Sequence, residues 1–178
     1  MLKRRELESW FPDDEIVTVP EDVVPAGITD PDTRRTLSEV GIPESFLEVL
    51  EIDFDLPERI RTVGQVYRAL EEPVPDGVDD LYLLGNAGQA MLAVDGRTGA
   101  VRQVHRSFGS RPMASSLEAF VRLLAAVAGE VRRRSRRELA DRLPDKLPGW
   151  LRELDPPSAP AAEPAWSAFL ADVAANAE

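Results

Sequence analysis

The chain has 178 residues, a formal net charge of −11 at pH 7 and no cysteine, which excludes disulfides, thiolate metal sites and cysteine nucleophiles. Its apolar share of 43% is enough for a substantial core. No apolar run approaches the ~20 residues that span a bilayer. The first residues, Met1–Glu6, are basic but lack a following apolar stretch, so we expect a cytoplasmic protein with no membrane partner.

The charge is unevenly placed. Residues 1–60 hold sixteen Asp and Glu against six Lys and Arg, whereas residues 111–137 hold seven Arg against two Glu. The acidic total argues against nucleic acid as a direct ligand, because phosphate binding depends on Lys and Arg. It is compatible with a basic protein partner, although acidic surfaces also serve solubility alone.

The N-terminal part alternates short helices and strands. Residues 3–10 have the pattern of a short amphipathic helix, and residues 16–19 that of a short β-branched strand. Asp30 is a suitable cap for a helix with Pro31 at its first position, and Gly41 ends that helix.

Residues 46–55 change to a period of two after Leu50. Ile52 and Phe54 then face one way, while Glu51, Asp53 and Asp55 face the other. This alternation predicts a strand with an acidic, solvated face.

The middle of the chain has the clearest strand signals. Apolar segments at 80–84, 89–94 and 100–105 are separated by glycine-rich segments at 85–88 and 95–99, which we interpret as turns. The pattern predicts a meander of antiparallel strands. Neither glycine segment leads into a helix with a Lys-Ser/Thr pair, so a phosphate-binding loop is disfavoured.

A long helix is predicted from Ser115 to Arg137. Ser115 and Glu118 have the spacing of a capping box, and apolar residues recur in the i, i+3, i+4 rhythm of one buried stripe. Arginines at 132–137 lie where the helix dipole favours cations. The cluster could alternatively bind phosphate or RNA. This alternative is disfavoured, because the cluster has no interleaved aromatic residues on which bases could stack.

The C-terminal part is rich in proline and alanine. We predict an α+β domain over 1–154, an extended proline-rich linker over 155–164 and a C-terminal tail helix over 165–178. Trp166, Phe169, Leu170 and Val173 are helically spaced on that tail.

No catalytic, metal or cofactor site is predicted. The one histidine, His105, has no visible nucleophile motif beside it. A row of Glu51, Asp53 and Asp55 could hold Mg²⁺ or act as acid and base, but such a site also needs a cleft that nothing in the sequence indicates. A partner-facing or solvated strand is the preferred interpretation, and the protein is predicted not to be an enzyme.

Three segments together carry a family resemblance: Asp80–Asn86, Leu92–Val101 and Ser115–Val121, with the turn Val40–Pro43 upstream. These segments contain two strands, an Asp-Gly and Thr-Gly turn, a further strand and a helix that starts with Ser-Ser-Leu-Glu-x-Phe. This order resembles the SUKH superfamily (Smi/Knr-like proteins). The resemblance covers roughly residues 10–130 and is closest to the fourth SUKH group, of bacterial immunity proteins. One departure is Ala114, where the family often has Asn.

The resemblance implies an α+β fold, in which helices flank a twisted, mostly antiparallel sheet. It also implies a non-enzymatic protein that binds and neutralises a bacterial polymorphic toxin, often a nuclease or a nucleic-acid deaminase. Neutralisation would occlude a basic active-site cleft on the cognate toxin. The predicted toxin-binding residues are Asp13, Asp14, Glu15, Glu21, Asp22, Glu51, Asp53 and Asp55. The alternative is a non-catalytic intracellular scaffold or regulatory adaptor of the same fold that docks a partner through its C-terminal helix.

Overall fold

A computed structural model describes residues 1–12, 15–53 and 58–177. The helices are α1 (Arg4–Glu8), α2 (Pro31–Arg35), α3 (Val63–Ala69), α4 (Leu117–Val131), α5 (Arg136–Leu154) and α6 (Ala159–Asn176). The strands are β1 (Ile16–Val17), β2 (Ile42–Pro43), β3 (Ser45–Phe46), β4 (Leu50–Ile52), β5 (Tyr82–Ala87), β6 (Ala90–Val94), β7 (Val101–His105) and β8 (Gly109–Ala114). No helix in these described ranges combines the length and the apolar character needed to cross a membrane.

Six strands form the main sheet, in the order β3-β4-β5-β6-β7-β8. Each strand pairs antiparallel with the next one along the chain, which is a meander. A separate two-stranded sheet joins β1 to β2. The predicted α+β class with an antiparallel meander and flanking helices is confirmed.

The two faces of the main sheet are covered differently. Leu84, Leu92 and Val94 point to the inner face and join a large core with α4 and α6. The outer face carries a smaller cluster, in which Val63 and Tyr67 of α3 pack with sheet residues such as Ala93 and Val104. The helix α3 is seven residues long, and Glu51 of β4 and Asn86 of β5 are exposed on this face.

Gly85 lies within β5, although the sequence predicts a turn over 85–88. The turn is confined to Gly88 and Gln89, between the paired residues Ala87 and Ala90, and Gly88 has a φ of 60°. A Cβ on Gly85 would lie 2.1 Å from the carbonyl oxygen of Glu51. This glycine is therefore required for the close approach of β4 and β5, and not for a turn.

The helix that is capped by Asp30 and ended by Gly41 agrees with the prediction at both ends. The Asp30 carboxylate accepts the Thr33 N–H at 2.8 Å, and Pro31 is the first helical residue. Gly41 ends the helix with a φ of 86°. Its second half, Thr36–Val40, is a wider π-helical turn that the sequence pattern does not reveal.

The predicted helix 115–137 covers α4 and the first two residues of α5, and the chain leaves the helix between them, at 132–135. Its first cap is Ser116, whose hydroxyl accepts the Ala119 N–H at 3.1 Å, so the predicted capping box of Ser115 and Glu118 is wrong. Ser115 instead donates its N–H to the buried Asp155 carboxylate at 2.8 Å. Glu118 accepts the Leu2 N–H at 2.8 Å and pairs with Arg35, so distant partners outcompete the local cap.

An ion pair with a buried carboxylate joins α4 to α5. The Glu130 carboxylate on α4 accepts from Arg134 Nε at 2.6 Å and from Lys146 Nζ on α5 at 2.5 Å. Burial raises the pKa of Glu130, but the hydrogen bonds and charges of Lys146 and Arg134 outweigh burial and hold the pKa below its ordinary value.

The C-terminal segment is helical from Ala159 onward, so the predicted extended linker over 155–164 is wrong there. Trp166 is fully buried, and its indole N–H donates to the Met113 carbonyl of β8 at 2.6 Å. Its ring packs on Phe120 and Phe169, with centroid distances of 5.8 and 5.4 Å. This burial offsets the low helix propensity of the prolines. The division of the chain at 154 and 164 into folding units stays a prediction.

Candidate functional site

The predicted strand 46–55 is a tight hairpin of β3 and β4. Leu47 and Glu48 both have positive φ, at 50° and 56°, and the Val49 N–H closes the turn by donating to the Phe46 carbonyl at 3.0 Å. Such a turn fits the twist of paired strands. It places Glu51 in the second strand of the sheet, where it lies between Ser45 and Asn86.

A cleft of about 620 Å³ opens beside this hairpin, which we call the acidic cleft. Its apolar wall comes from β5, β6 and α3, and its polar rim comes from the hairpin and from β5. The lining residues are Glu44, Ser45, Glu51, Ile52, Asp53, Arg61, Val66, Leu83, Asn86 and Met91.

The acidic face that the sequence predicts is only partly solvated. Glu51 is exposed, as expected. Asp53 lies past the end of β4 and pairs with Arg61, with Oδ2 and Nη2 2.9 Å apart and the Asp53 side chain only 12% exposed. Asp55 lies outside the described residues.

The cleft is net negative. Three carboxylates (Glu44, Glu51 and Asp53) face one guanidinium (Arg61), a balance of −2. Within the described part of the chain, the side chains of Glu44 and Glu51 have no ion-pair partner, and both residues are exposed. The cleft therefore presents two carboxylates that are available to a cation from outside.

Backbone pairing connects the cleft to the N-terminal acidic segment. The Glu44 N–H donates to the Glu15 carbonyl at 2.7 Å, and the Ile52 N–H donates to the Glu44 carbonyl at 2.8 Å. Glu15 is exposed and thus lies next to the cleft along the edge of the sheet. Asp13 and Asp14 lie outside the described residues. Sequence reasoning missed Glu44, because only the observed hairpin pairing brings it beside β4.

Glu21 and Asp22 do not line the cleft. The Glu21 carboxylate accepts from Arg34 Nε at 2.9 Å, and this hydrogen bond lowers the pKa of Glu21. Asp22 is exposed in the adjoining turn. The structure thus brings Glu15, Glu51 and Asp53 together, and places Glu21 in a separate ion pair.

The remaining candidate groups have local partners. His105 stacks on Phe108 with centroids 5.2 Å apart, and its Nδ1 accepts the Ser107 N–H at 3.1 Å. Of the arginines at 132–137, Arg132 donates to the Ser9 carbonyl at 3.0 Å and Arg134 pairs with Glu130. Over the described ranges, no group of three or more His, Asp and Glu side chains is placed to hold a metal ion.

Comparison with known proteins gives one match. Neither the curated proteins nor the solved structures include a match to this chain. A family model described as SUKH-4 immunity protein matches residues 2–172, which extends through α5 and most of α6. The chain therefore belongs to the SUKH-4 immunity protein family, the SUKH group that its sequence resembles, and its role is immunity against a toxin.

Proposed function

We propose that this protein binds its cognate toxin through the acidic cleft and the acidic segment beside it. Binding covers a basic active-site cleft on the toxin, and neutralisation needs no catalysis by the immunity protein. The proposed contact residues are Asp13, Asp14, Glu15, Glu21, Asp22, Glu51, Asp53 and Asp55, to which the geometry adds Glu44.

The proposed toxin is a nuclease or a nucleic-acid deaminase. Such an enzyme holds a polyanion and therefore needs a basic surface around its active site. A surface with free carboxylates is electrostatically complementary to that one. The observation that carries the proposal is the concave site in which Glu44 and Glu51 are exposed and, within the described residues, have no ion-pair partner.

The charge distribution also favours fast recognition. Residues 1–60 carry a balance of −10, sixteen acidic against six basic side chains, and all three carboxylates of the cleft belong to this segment. Opposite charges on two proteins raise the rate of association, and salt screens this effect over ~10 Å at 0.1 M. We expect the association rate with the toxin to fall as salt rises. We further propose a cytoplasmic location and no direct contact with nucleic acid.

The alternative, a scaffold that docks a partner through its C-terminal helix, loses its main support. The helically spaced apolar residues of that helix are Trp166, Phe169, Leu170 and Val173. All four are buried in this chain's own core. A partner could reach these side chains only if α6 detached from the sheet.

Co-expression with a candidate toxin domain, taken from the gene beside this one in the source genome, tests the proposal. The double variant Glu44→Lys/Glu51→Lys should abolish growth protection and weaken binding at least about tenfold, or about 1.4 kcal/mol. The control variant Asp141→Lys/Asp145→Lys changes two exposed carboxylates of α5 and should protect like the unmodified protein. Equal protection by both variants would reject this binding surface.

A further inference from the structure

The acidic cleft has an apolar floor, which attraction between charges alone does not require. Leu83 is buried beneath it, and Val66 and Met91 are half-buried at its sides. An occupant that contacts this floor must itself carry an apolar portion. The floor therefore limits the kinds of group that fill the cleft.

Four side chains on the rim of the cleft can accept hydrogen bonds, and two of them are carboxylates that only accept. Glu51 lies directly between Ser45 and Asn86 in the strand register, and these three residues are exposed. Neighbouring strands are about 4.8 Å apart, so the three side chains form a short row across β3, β4 and β5. Glu44 adds a second carboxylate to the same rim.

Only lysine and arginine side chains combine a long apolar stem with a head that solely donates hydrogen bonds. An ammonium is a compact, strongly hydrated charge, whereas a planar guanidinium presents five donors in several directions. Acceptors spaced across three strands suit the guanidinium. The cleft already holds one such contact, because Asp53 on its wall binds Arg61 of this chain at 2.9 Å.

We propose that the acidic cleft is an anchor site for a single arginine side chain of the toxin. Its methylene stem lies on Leu83, Val66 and Met91, and its guanidinium donates to Glu44 and Glu51. The inference rests on the proposed function and narrows it to one residue type. Arginine is frequent among the few residues that dominate the binding energy of protein interfaces.

The test titrates the isotope-labelled full chain with three small probes and follows its NMR spectrum. The probes are N-acetyl-arginine amide, N-acetyl-lysine amide and N-acetyl-citrulline amide, the last of which has the shape of arginine without its charge. Arginine amide should shift the Asn86 amide and the Met91 methyl resonances with a Kd of about 1–10 mM, as expected for one side chain. Lysine amide should bind several-fold more weakly, and citrulline amide at least about tenfold more weakly.

Two variants locate the binding. Glu44→Gln and Glu51→Gln alter exposed side chains. Each should raise the Kd of arginine amide at least about threefold, because each removes a charge-assisted contact. Asp141→Asn/Asp145→Asn on α5 should leave the Kd unchanged. The inference is overturned if citrulline or lysine binds as well as arginine, if the shifts map away from the cleft, or if no shifts saturate.

This titration is independent of the toxin, so the two proposals fail separately. If Glu44→Lys/Glu51→Lys abolishes protection but arginine amide does not bind the cleft, the toxin-binding surface stands and the arginine anchor is wrong. If arginine amide binds as expected but the same double variant still protects, the toxin-binding surface is wrong.

Discussion

Replacing Trp166 with alanine tests whether α6 is an integral part of the fold. The indole is fully buried between Phe120 and Phe169, and its N–H donates to the Met113 carbonyl of β8. Truncating a buried Trp to Ala costs about 3–5 kcal/mol through lost burial and the cavity left behind. The unpaired Met113 carbonyl adds about 1 kcal/mol.

A total of about 4–6 kcal/mol is a large share of the 5–15 kcal/mol by which native proteins are typically stable. Urea denaturation followed by circular dichroism measures the free energy of unfolding for each variant. Trp166→Phe keeps most of the apolar contact and loses the hydrogen bond, so it should cost only about 1–3 kcal/mol. Ser167→Ala, an exposed position on the same helix, should stay within about 0.5 kcal/mol of the unmodified protein.

The ranking of these three variants by their free energy of unfolding tests the role of α6. If Trp166→Ala loses less than about 1 kcal/mol, α6 contributes little to the core, contrary to the burial of its apolar face. The segment 165–178 would then be the separate tail that the sequence predicts.

Three further predictions concern the packing around α4 and the cleft. Asp155→Ala should cost about 2–3 kcal/mol in urea denaturation, because the buried carboxylate accepts the Ser115 N–H and hydroxyl; unchanged stability would contradict that role. Gly85→Ala should cost about 1–3 kcal/mol and shift the Glu51 amide resonance, since its Cβ meets the Glu51 carbonyl; Gly149→Ala on α5, where no atom lies within 4 Å and φ is not positive, is the control and should not destabilise the protein. Glu130→Gln should cost about 1–2 kcal/mol at pH 7. Because the folded pKa of Glu130 is lowered, its stabilising contribution is full above the unfolded pKa of about 4.5 and is lost as pH falls through the folded pKa, so the variant should lose less stability on acidification than the unmodified protein.

The central meander was predictable because its signals are local. Alternating apolar residues and glycine-containing turns specify β5, β6 and β7, and the cap at Asp30 and the stop at Gly41 depend on residues within one or two helical turns. The family resemblance was carried by these same local segments. Local hydrogen bonds and side-chain periodicity are the features that a single sequence records best.

The incorrect predictions concern local structure that depends on residues distant in the sequence. Glu118 has the spacing of a capping residue, yet Leu2 and Arg35 bind it from 116 and 83 residues away. The proline-rich composition of 155–164 favours an extended chain, yet burial of Trp166 against β8 keeps α6 helical. Of the candidate site, the exposed Glu51 was predictable from alternation, whereas Glu44 joins it only through the pairing of β3 with β4.

The short outer strand of the sheet has a consequence for how the acidic residues tolerate change. β3 contains two residues, ends the sheet on one side, and has Glu44 immediately before it. Charged residues at a brief outer strand discourage another polypeptide from adding to the sheet and starting an aggregate. Neutralising Glu44 would thus remove a barrier to self-association together with one of the proposed contacts to the toxin, so both effects favour a negative charge at this position.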